Sequence, residues 1–233
     1  MYRLKSPGNV GAVLRGRPCS IGTMAPSQDN ILKALLFDLD GTLLDSFAVH
    51  YQAYEAMFAR FGILVTRETF LASYSPNWYH TYERMGLPSD SWDDANAYWL
   101  EEAAKRHAEL FPGVREMLDA LSRSRKLGLV TSGSRHRVMA DLERTGITPY
   151  FQVLVTGNDI KQPKPSPEGL EVALAALALP PSEAVYIGDS YADYEMARSA
   201  GVEFLGVNSL FEDGGPRPYR LMSSVLDVLE EVI

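Results

Sequence analysis

The chain has 233 residues, of which 46% are hydrophobic and 22% charged, so it can bury a substantial core and suits one or two globular domains. Its net charge of -8 argues against nucleic acid or an anionic membrane as partner, since both need a basic surface, and no apolar run approaches the roughly 20 residues of a membrane-spanning helix. The single cysteine, Cys19, excludes an internal disulfide and a cysteine-based metal cluster, and we expect a cytoplasmic protein.

The first part of the chain lacks the pattern of a folded element. Arg3, Lys5, Arg15 and Arg17 stand there without an acidic neighbour, among scattered glycines and prolines and with no helical period. A secretory signal needs a continuous apolar segment, which arginines and a proline interrupt here. We therefore expect residues 1–30 to form a poorly ordered extension. Its origin, as a tail, a transit peptide or a stretch before an alternative start, stays open.

The first predicted strand, KALLFDLD at residues 33–40, ends in two aspartates. Residues i and i+2 of a strand point to the same side, so Asp38 and Asp40 are expected to leave the sheet together. Two carboxylates that share one site repel each other unless a divalent cation or a reaction uses them. Gly41 permits a tight turn and close backbone approach, and Thr42 is small and polar, so both are candidate substrate contacts.

A helical insert is predicted over residues 47–109. This segment holds no convincing strand and shows helical periods, for example at Tyr51, Tyr54 and Phe58. All three tryptophans of the chain lie in it, as expected for a cap that needs large side chains to build its own small core. The loop YSPN is the part expected to face a substrate. The candidate contacts on and after this loop are Asn77, Trp78 and Arg84.

The rest of the chain alternates short apolar runs with stretches of helical period. Such alternation predicts a parallel sheet with helices on both faces and places function at the carboxyl ends of the strands. The expected fold is therefore α/β, with a Rossmann-like core formed by residues 31–46 and 110–233 and a small helical cap inserted after the first strand. The further predicted strands are 126–133, 152–157, 184–190 and 202–208, and the predicted helices are 113–124, 135–145, 167–178, 191–200 and 223–232.

Polar residues follow two of these later runs. Thr131, Ser132 and Gly133 end the strand LGLV and offer hydroxyl and backbone N–H groups that could hold an oxyanion or a phosphate. Lys164 stands between prolines in QPKPSP, which restricts where its ammonium group sits, and we prefer it to Lys161 as the functional lysine.

The fourth polar cluster contains Asp189 and Asp193, which lie one helical turn apart after the strand AVYIG, so both carboxylates could reach one cation. Taken singly, each cluster has an ordinary structural explanation, such as a turn, a helix cap or a solvated lysine. Together they bring four carboxylates, one lysine and several donors to one edge of one sheet. Phosphoryl transfer with magnesium requires that combination.

Four stretches of this sequence resemble the four motifs of the haloacid dehalogenase superfamily of phosphohydrolases in their order and separations. They are DLDGTLLDS, VTSG, DIKQPKPSP and GDSYADYEMA. The resemblance covers about residues 33–208. The helical insert is similar to the small cap of the subgroup that includes phosphoglycolate phosphatase and β-phosphoglucomutase. The family implies a Mg²⁺-dependent phosphatase that acts on a small phosphorylated metabolite through an aspartyl-phosphate.

The resemblance also implies a role for each motif residue. Asp38 is the expected nucleophile and Asp40 the expected acid and base. Thr131 is expected to bind phosphate oxygens, and Lys164 to balance the charge of Asp38 and the phosphoryl group. The expected Mg²⁺ ligands are Asp38, the backbone carbonyl of Asp40, Asp189 and Asp193, the last of which ligates directly or orients a metal-bound water.

Several alternatives stay open. Asp40 argues for phosphate esters, because haloacid dehalogenases and phosphonate-cleaving relatives typically lack an acid there. A pyrophosphatase or nucleotidase would differ only in its leaving group, and a non-catalytic protein is disfavoured because every catalytic position is filled. The oligomeric state has no signature. A sugar phosphomutase would grip a second phosphate with basic cap residues, and those available are Arg60, Arg67, Arg84, Lys105 and Arg106.

Overall fold

The computed structural model describes residues 32–75, 78–208 and 219–232, so the predicted extension at 1–30 and the candidate contact Asn77 lie outside the described residues. The strands are β1 (Ala34–Phe37), β2 (Leu44–Asp45), β3 (Glu109–Leu110), β4 (Lys126–Val130), β5 (Val153–Val155), β6 (Ala184–Gly188), β7 (Glu203–Val207) and β8 (Arg220–Met222). The α-helices are α1 (Phe47–Arg60), α2 (Arg67–Ser73), α3 (Trp78–Arg84), α4 (Trp92–Ala104), α5 (Val114–Ser122), α6 (Arg135–Thr145), α7 (Glu168–Leu177), α8 (Tyr191–Ala200) and α9 (Val228–Val232).

Strand β1 lies inside the six-stranded sheet, whose order is β5-β4-β1-β6-β7-β8. All neighbouring strands run parallel, and Leu36 of β1 lies opposite Gly128 of β4 and Tyr186 of β6. The chain continues to β4 and β5 on one side of β1 and to β6 and β7 on the other. In an open α/β sheet this reversal leaves a crevice at the carboxyl ends of the strands. The predicted α/β class with a Rossmann-like parallel sheet is confirmed.

Both faces of β1 are buried, which explains its uninterrupted apolar sequence. Leu35 and Phe37 join the hydrophobic cluster that includes residues of α5 and α6, whereas Ala34 and Leu36 join the cluster that includes residues of α7 and α8. All four side chains are fully buried. Burial of a large apolar side chain stabilises the folded state by about 1.5–3 kcal/mol, so these two clusters hold β1 between the helices on either face of the sheet.

Helices α1 to α4 lie between the two-residue strands β2 and β3, which pair antiparallel with Leu44 opposite Leu110. This pair joins the points where the chain enters and leaves the helical segment. The helices enclose a hydrophobic cluster of their own, in which Phe58, Phe70 and Tyr82 are buried. The division into a core and a cap at residues 47–109 stays a prediction.

Observed and predicted elements differ mainly at their ends. Helices α6 and α8 have their predicted bounds, but β1 stops at Phe37, so Asp38 and Asp40 lie just beyond the strand. The helix predicted at 223–232 is reduced to α9, because Ser224 accepts a hydrogen bond from the backbone N–H of Leu226 and caps a 3-10 turn first. Strands β2, β3 and β8 were not predicted. The two residues each of β2 and β3 are too few for a periodic pattern, and the three residues of β8 begin with an arginine and form no apolar run. Across the described ranges, no helix has both the length and the hydrophobicity to cross a bilayer.

Candidate active site

A cavity of about 320 Å³ lies where β1, β4 and β6 end, and helices α1, α3 and α4 form its opposite wall. Of the predicted site residues, Thr42 is fully buried outside the cavity lining, and Arg84 is exposed, with Nη1 donating to the carbonyl oxygen of Tyr74 at 3.4 Å. Asp193 is fully buried behind the lining. The predicted residues that line the cavity are Asp38, Asp40, Gly41, Trp78, Thr131, Ser132, Gly133, Lys164 and Asp189.

Lys164 is buried between two carboxylates. Its Nζ lies 2.7 Å from Oδ1 of Asp38 and 2.7 Å from Oδ1 of Asp193. Burial would lower the pKa of Lys164, but Asp193 and Asp38 outweigh burial and raise it above its ordinary value. The loop that carries Lys164 is held by Glu168, whose carboxylate accepts hydrogen bonds from the backbone N–H groups of Lys161 and Gln162. A fixed positive charge therefore faces Asp38.

Asp38, Asp189 and Asp193 form a carboxylate cluster, with one oxygen of each within 4.8 Å of the others. Burial is the main cause that raises the pKa of Asp38 to about 7, while Lys164 opposes the rise and the charge of Asp193 adds to it. Burial, followed by the charges of Asp193 and Asp38, raises the pKa of Asp189 well above its ordinary value. A divalent cation relieves such repulsion, and a set of oxygen donors suits a hard cation such as Mg²⁺.

Both carboxylate oxygens of Asp193 are engaged by protein groups. Oδ1 accepts a hydrogen bond from the Tyr186 hydroxyl at 3.0 Å and faces Lys164. Oδ2 accepts from the backbone N–H of Ser190 at 3.0 Å and from its hydroxyl at 2.6 Å, which closes a capping box at the start of α8. Asp193 therefore contacts Lys164 and the start of α8, whereas Asp38 and Asp189 line the cavity.

The end of β4 supplies neutral hydrogen-bond donors. Thr131 is buried, and its Oγ1 accepts a hydrogen bond from the backbone N–H of Gly133 at 3.2 Å. The Oγ of Ser132 is buried and has no hydrogen-bond partner among the residues that the structure describes. Helix α6 begins next at Arg135, after Ser134, whose side chain makes no capping hydrogen bond. Donors at a helix start beside Asp38 suit an incoming anion.

Asp40 contacts two residues that sequence reasoning missed, Arg137 and His50. The guanidinium of Arg137, on α6, bonds both carboxylate oxygens of Asp40 and lies 3.2 Å from Oδ2 of Asp141. Nε2 of His50, on α1, lies 3.4 Å from Oδ1 of Asp40. Burial would raise the pKa of Asp40, but Arg137 above all outweighs burial and lowers it.

The position of Arg137 depends on Gly133. A Cβ atom at Gly133 would lie 2.4 Å from Nη2 of Arg137, so the missing side chain leaves room for the guanidinium. The spacing of Arg137 and Asp141 indicates a helical ion pair from sequence alone. The contact with Asp40 spans 97 positions, and no local signal could have found it.

Comparison with known proteins places the chain in context. The family model described as "Haloacid dehalogenase-like hydrolase" matches residues 35–207. A pyrophosphatase (PpaX) of Bacillus velezensis is 34% identical over 184 residues, which cover 77% of this chain and 84% of the relative. A phosphorylated carbohydrates phosphatase of Thermotoga maritima is 31% identical over 221 residues, which cover 87% of this chain and 100% of the relative. A Lactobacillus plantarum structure assigned as a phosphoglycolate phosphatase has a TM-score of 0.79 at 24% identity, covers 85% of this chain and 98% of its own, and shows the fold alone.

Proposed function

The chain belongs to the haloacid dehalogenase-like hydrolases and is an enzyme of that family, and from this premise we propose that it is a Mg²⁺-dependent phosphatase that forms an aspartyl-phosphate on Asp38. The substrate is a small phosphate monoester. The observation that carries the proposal is the contact of buried Asp38 with the buried ammonium of Lys164, beside the carboxylate of Asp189. A nucleophile, a fixed cation and oxygen ligands for a metal thus share one cavity.

Magnesium fits the carboxylate cluster, because its donors are all oxygens and because burial, together with the mutual repulsion of the carboxylates, raises the pKa of Asp38 and Asp189. Asp38, the backbone carbonyl of Asp40 and Asp189 would hold the ion. Asp193 would instead hold Lys164 beside Asp38, since both of its oxygens are already engaged by Lys164, Tyr186 and Ser190. When bound, the ion supplies positive charge for the phosphoryl oxygens.

In the first step, a carboxylate oxygen of Asp38 attacks phosphorus, and the bond between phosphorus and the ester oxygen breaks. A monoester bound as its monoanion gives its proton to Asp40, and Asp40 passes that proton to the leaving oxygen, so the alcohol departs neutral. Lys164 balances the charge of Asp38 and the phosphoryl group, and Thr131 and Ser132 donate hydrogen bonds to phosphoryl oxygens. The product of this step is an aspartyl-phosphate on Asp38.

In the second step, Asp40 takes a proton from water, the water oxygen attacks phosphorus, and the bond between phosphorus and Asp38 breaks. Free phosphate leaves with the proton that Asp40 took up, and the carboxylates of Asp38 and Asp40 are restored. Arg137 and His50 favour the charged form of Asp40 and hold its carboxylate in place, which suits its role as the base. Arg137 is therefore a positioning residue for Asp40.

Hydrolysis of pyrophosphate is a second candidate function, favoured by the 34% identity to the Bacillus velezensis pyrophosphatase. The Thermotoga maritima relative favours a phosphate ester instead. A phosphomutase is not favoured, since none of the basic cap residues named from the sequence lines the cavity. A cytoplasmic location remains part of the proposal and is supported by the single cysteine of the chain.

The test is release of free phosphate from a panel of monoesters and from pyrophosphate, with Mg²⁺ or with a chelator, for the wild type and Asp38→Asn. We expect Mg²⁺-dependent release that the substitution abolishes. Borohydride reduction of the reacting enzyme should convert the acyl phosphate at position 38 to homoserine, which peptide mass spectrometry detects. Release that survives in Asp38→Asn, or labelling of another aspartate, would refute the assignment of the nucleophile.

A further inference from the structure

The wall of the cavity that the segment of helices α1 to α4 forms, called the cap wall below, is mainly aromatic. The polar residues that α1 and α4 contribute to this wall are His50 and Asn96. The Nε2 of His50 already contacts Oδ1 of Asp40 at 3.4 Å. Leu100 adds a further apolar side chain, which is 41% exposed. This wall faces the strand ends, so it is the part of the cavity that meets the leaving group. The aromatic residues on it include Phe47, Tyr54, Phe70, Tyr74, Trp78 and Trp99.

The cations that line the cavity, among the residues that the structure describes, are Arg137 and Lys164. Each already serves two carboxylates. Arg137 contacts Asp40 and Asp141, and Lys164 contacts Asp38 and Asp193. Both come from the strand side of the cavity rather than from helices α1 to α4. Neither is available to neutralise a second negative charge at the cap wall.

The basic residues of the helical segment contact other groups. Arg60 lies over the ring of Tyr98 at 4.2 Å and within 4.0 Å of Glu101 and Glu102. The Nε of Arg106 donates to Oε1 of Gln52 at 2.9 Å. Lys105 pairs with Glu101 and Glu102, Arg67 lies over the ring of Phe47, and Arg84 donates to the carbonyl of Tyr74.

An anionic group placed against the aromatic wall would therefore lose its water without gaining a counter-charge. Burial of an unpaired charge is costly, whereas an uncharged alcohol with a ring or C–H face gains apolar contact there. Resting on the proposed function, we propose that the leaving group is uncharged and that the substrates are phosphate monoesters of neutral alcohols. Phosphocarboxylates, bisphosphates and pyrophosphate are then poor substrates.

The experiment compares kcat/KM within pairs of esters that differ mainly in the charge of the leaving group. The pairs are hydroxyethyl phosphate with phosphoglycolate, glycerol phosphate with phosphoglycerate, and phenyl phosphate with para-carboxyphenyl phosphate, with pyrophosphate measured beside them. We expect the neutral member of each pair to be at least about tenfold better. Comparison of the glycerol pair with the phenyl pair also shows whether the enzyme prefers a polyhydroxy or a planar leaving group.

Introduction of a positive charge into the wall sharpens the test. Leu100→Lys adds a cation at the cavity in an exposed position, and it should raise the ratio of anionic to neutral ester hydrolysis by at least about tenfold. The matched control is Leu64→Lys, because Leu64 is 85% exposed and does not line the cavity. The ratio of anionic to neutral ester hydrolysis by Leu64→Lys should equal that of the wild type.

The outcomes separate the two proposals. If phosphoglycolate or phosphoglycerate is the preferred substrate of the wild type, the inference about the leaving group is wrong while the phosphatase function stands. A preference for pyrophosphate would refute the leaving-group inference and replace the monoester assignment with the pyrophosphatase candidate. If Leu100→Lys does not change the ratio, the aromatic wall does not contact the leaving group. No phosphate from any compound with folded enzyme and Mg²⁺ overturns the proposed function itself.

Discussion

Arg137 and Asp40 form a paired contact in which Nη1 lies 3.1 Å from Oδ1 and Nη2 bonds Oδ2. The side chains are 20% and 16% exposed, so water screens the pair only in part. The pKa of Asp40 is lower in the folded state than its ordinary value because Arg137 outweighs the effect of burial. Such a carboxylate stabilises the fold above its unfolded pKa of about 4, and the stabilisation is lost as the pH falls through the folded pKa.

Replacement of Arg137 should therefore destabilise the protein in a pH-dependent way. We expect Arg137→Met to lower the free energy of unfolding by about 2–4 kcal/mol at pH 7, because Asp40 keeps its charge and loses its partner. The loss should shrink below about pH 4, where Asp40 is protonated in the unfolded chain. Urea denaturation at a series of pH values measures both effects.

The control for this prediction is Arg135→Met, at the start of the same helix. Arg135 pairs with Asp159 and its side chain is 53% exposed, so its loss should cost much less. A double-mutant cycle with Asp40→Asn isolates the pair, since the second substitution should add little once the first has been made. Additive effects of the two substitutions would contradict the assigned contact.

Lys164 should be essential for both activity and stability. Lys164→Met leaves Asp38 and Asp193 buried without their cation, and removal of one partner of a buried ion pair costs about 3–5 kcal/mol. Phosphatase activity should fall on the order of 10²–10³-fold, the usual effect of removing one group that stabilises the transition state.

The chain offers a matched control in Lys161→Met. Lys161 lies three residues earlier in the same loop but is exposed. Its replacement should leave phosphate release and the urea midpoint near the wild-type values. Equal losses in both variants would mean that the loop conformation, rather than the ammonium group of Lys164, carries the effect.

The carboxylate cluster should destabilise the metal-free protein at neutral and alkaline pH. The pKa of Asp38 rises from 3.8 to about 7 on folding, so folding favours the protonated carboxyl. The free energy of unfolding is therefore not reduced by Asp38 below about pH 4, where the group is protonated in both states, and it decreases as the pH rises through 7. In a chelator at pH 8, Asp38→Asn should therefore raise the free energy of unfolding by roughly 1–4 kcal/mol. The gain should disappear near pH 4.

Asp45→Asn is the control for this prediction, because Asp45 is exposed on β2. Thermal denaturation in chelator and in Mg²⁺ adds a second readout. Magnesium should raise the Tm of the wild type in proportion to the logarithm of its concentration and have much less effect on Asp38→Asn. A variant that is less stable than the wild type at pH 8 in chelator would show that Asp38 is not under repulsion.

Sequence reasoning could predict the residues that follow strands. Thr131 and Asp189 lie beside Asp38 because β4 and β6 are the two neighbours of β1, and parallel strands end at the same edge. Lys164 follows β5 and lies in a loop, which strand positions do not place. The prolines on either side of it restrict the loop, and they allowed Lys164 to be predicted from sequence.

Residues on helices were harder to predict. Arg137 and His50 reach Asp40 from α6 and α1, and which side chain meets the site depends on how each helix is rotated against the sheet. Periodicity identifies the buried face of a helix, but it does not tell which side chain at the edge of that face reaches the site. For the same reason the sequence could not tell that Trp78 lines the cavity while Arg84 turns to the carbonyl of Tyr74.

The backbone at Gly41 provides the sharpest test of the predicted metal site. Gly41 has a φ of 76°, and a Cβ atom there would lie 2.3 Å from Oδ2 of Asp189. Gly41→Ala must therefore displace the carboxylate of Asp189 in addition to straining the backbone. Gly62 has a φ of 72°, and a Cβ atom there would meet no other atom within 4 Å, so Gly62→Ala carries the backbone strain alone.

Both alanine variants should lose about 1 kcal/mol of stability from the strained φ angle. Only Gly41→Ala should bind Mg²⁺ more weakly, with an increase of at least about tenfold in the concentration that gives half of the maximal rise in Tm, or about 1.4 kcal/mol. Because this readout is thermal denaturation, it does not depend on knowing the substrate. An unchanged Mg²⁺ response in Gly41→Ala would mean that Asp189 is not a ligand, since the displaced carboxylate could not then have been holding the ion.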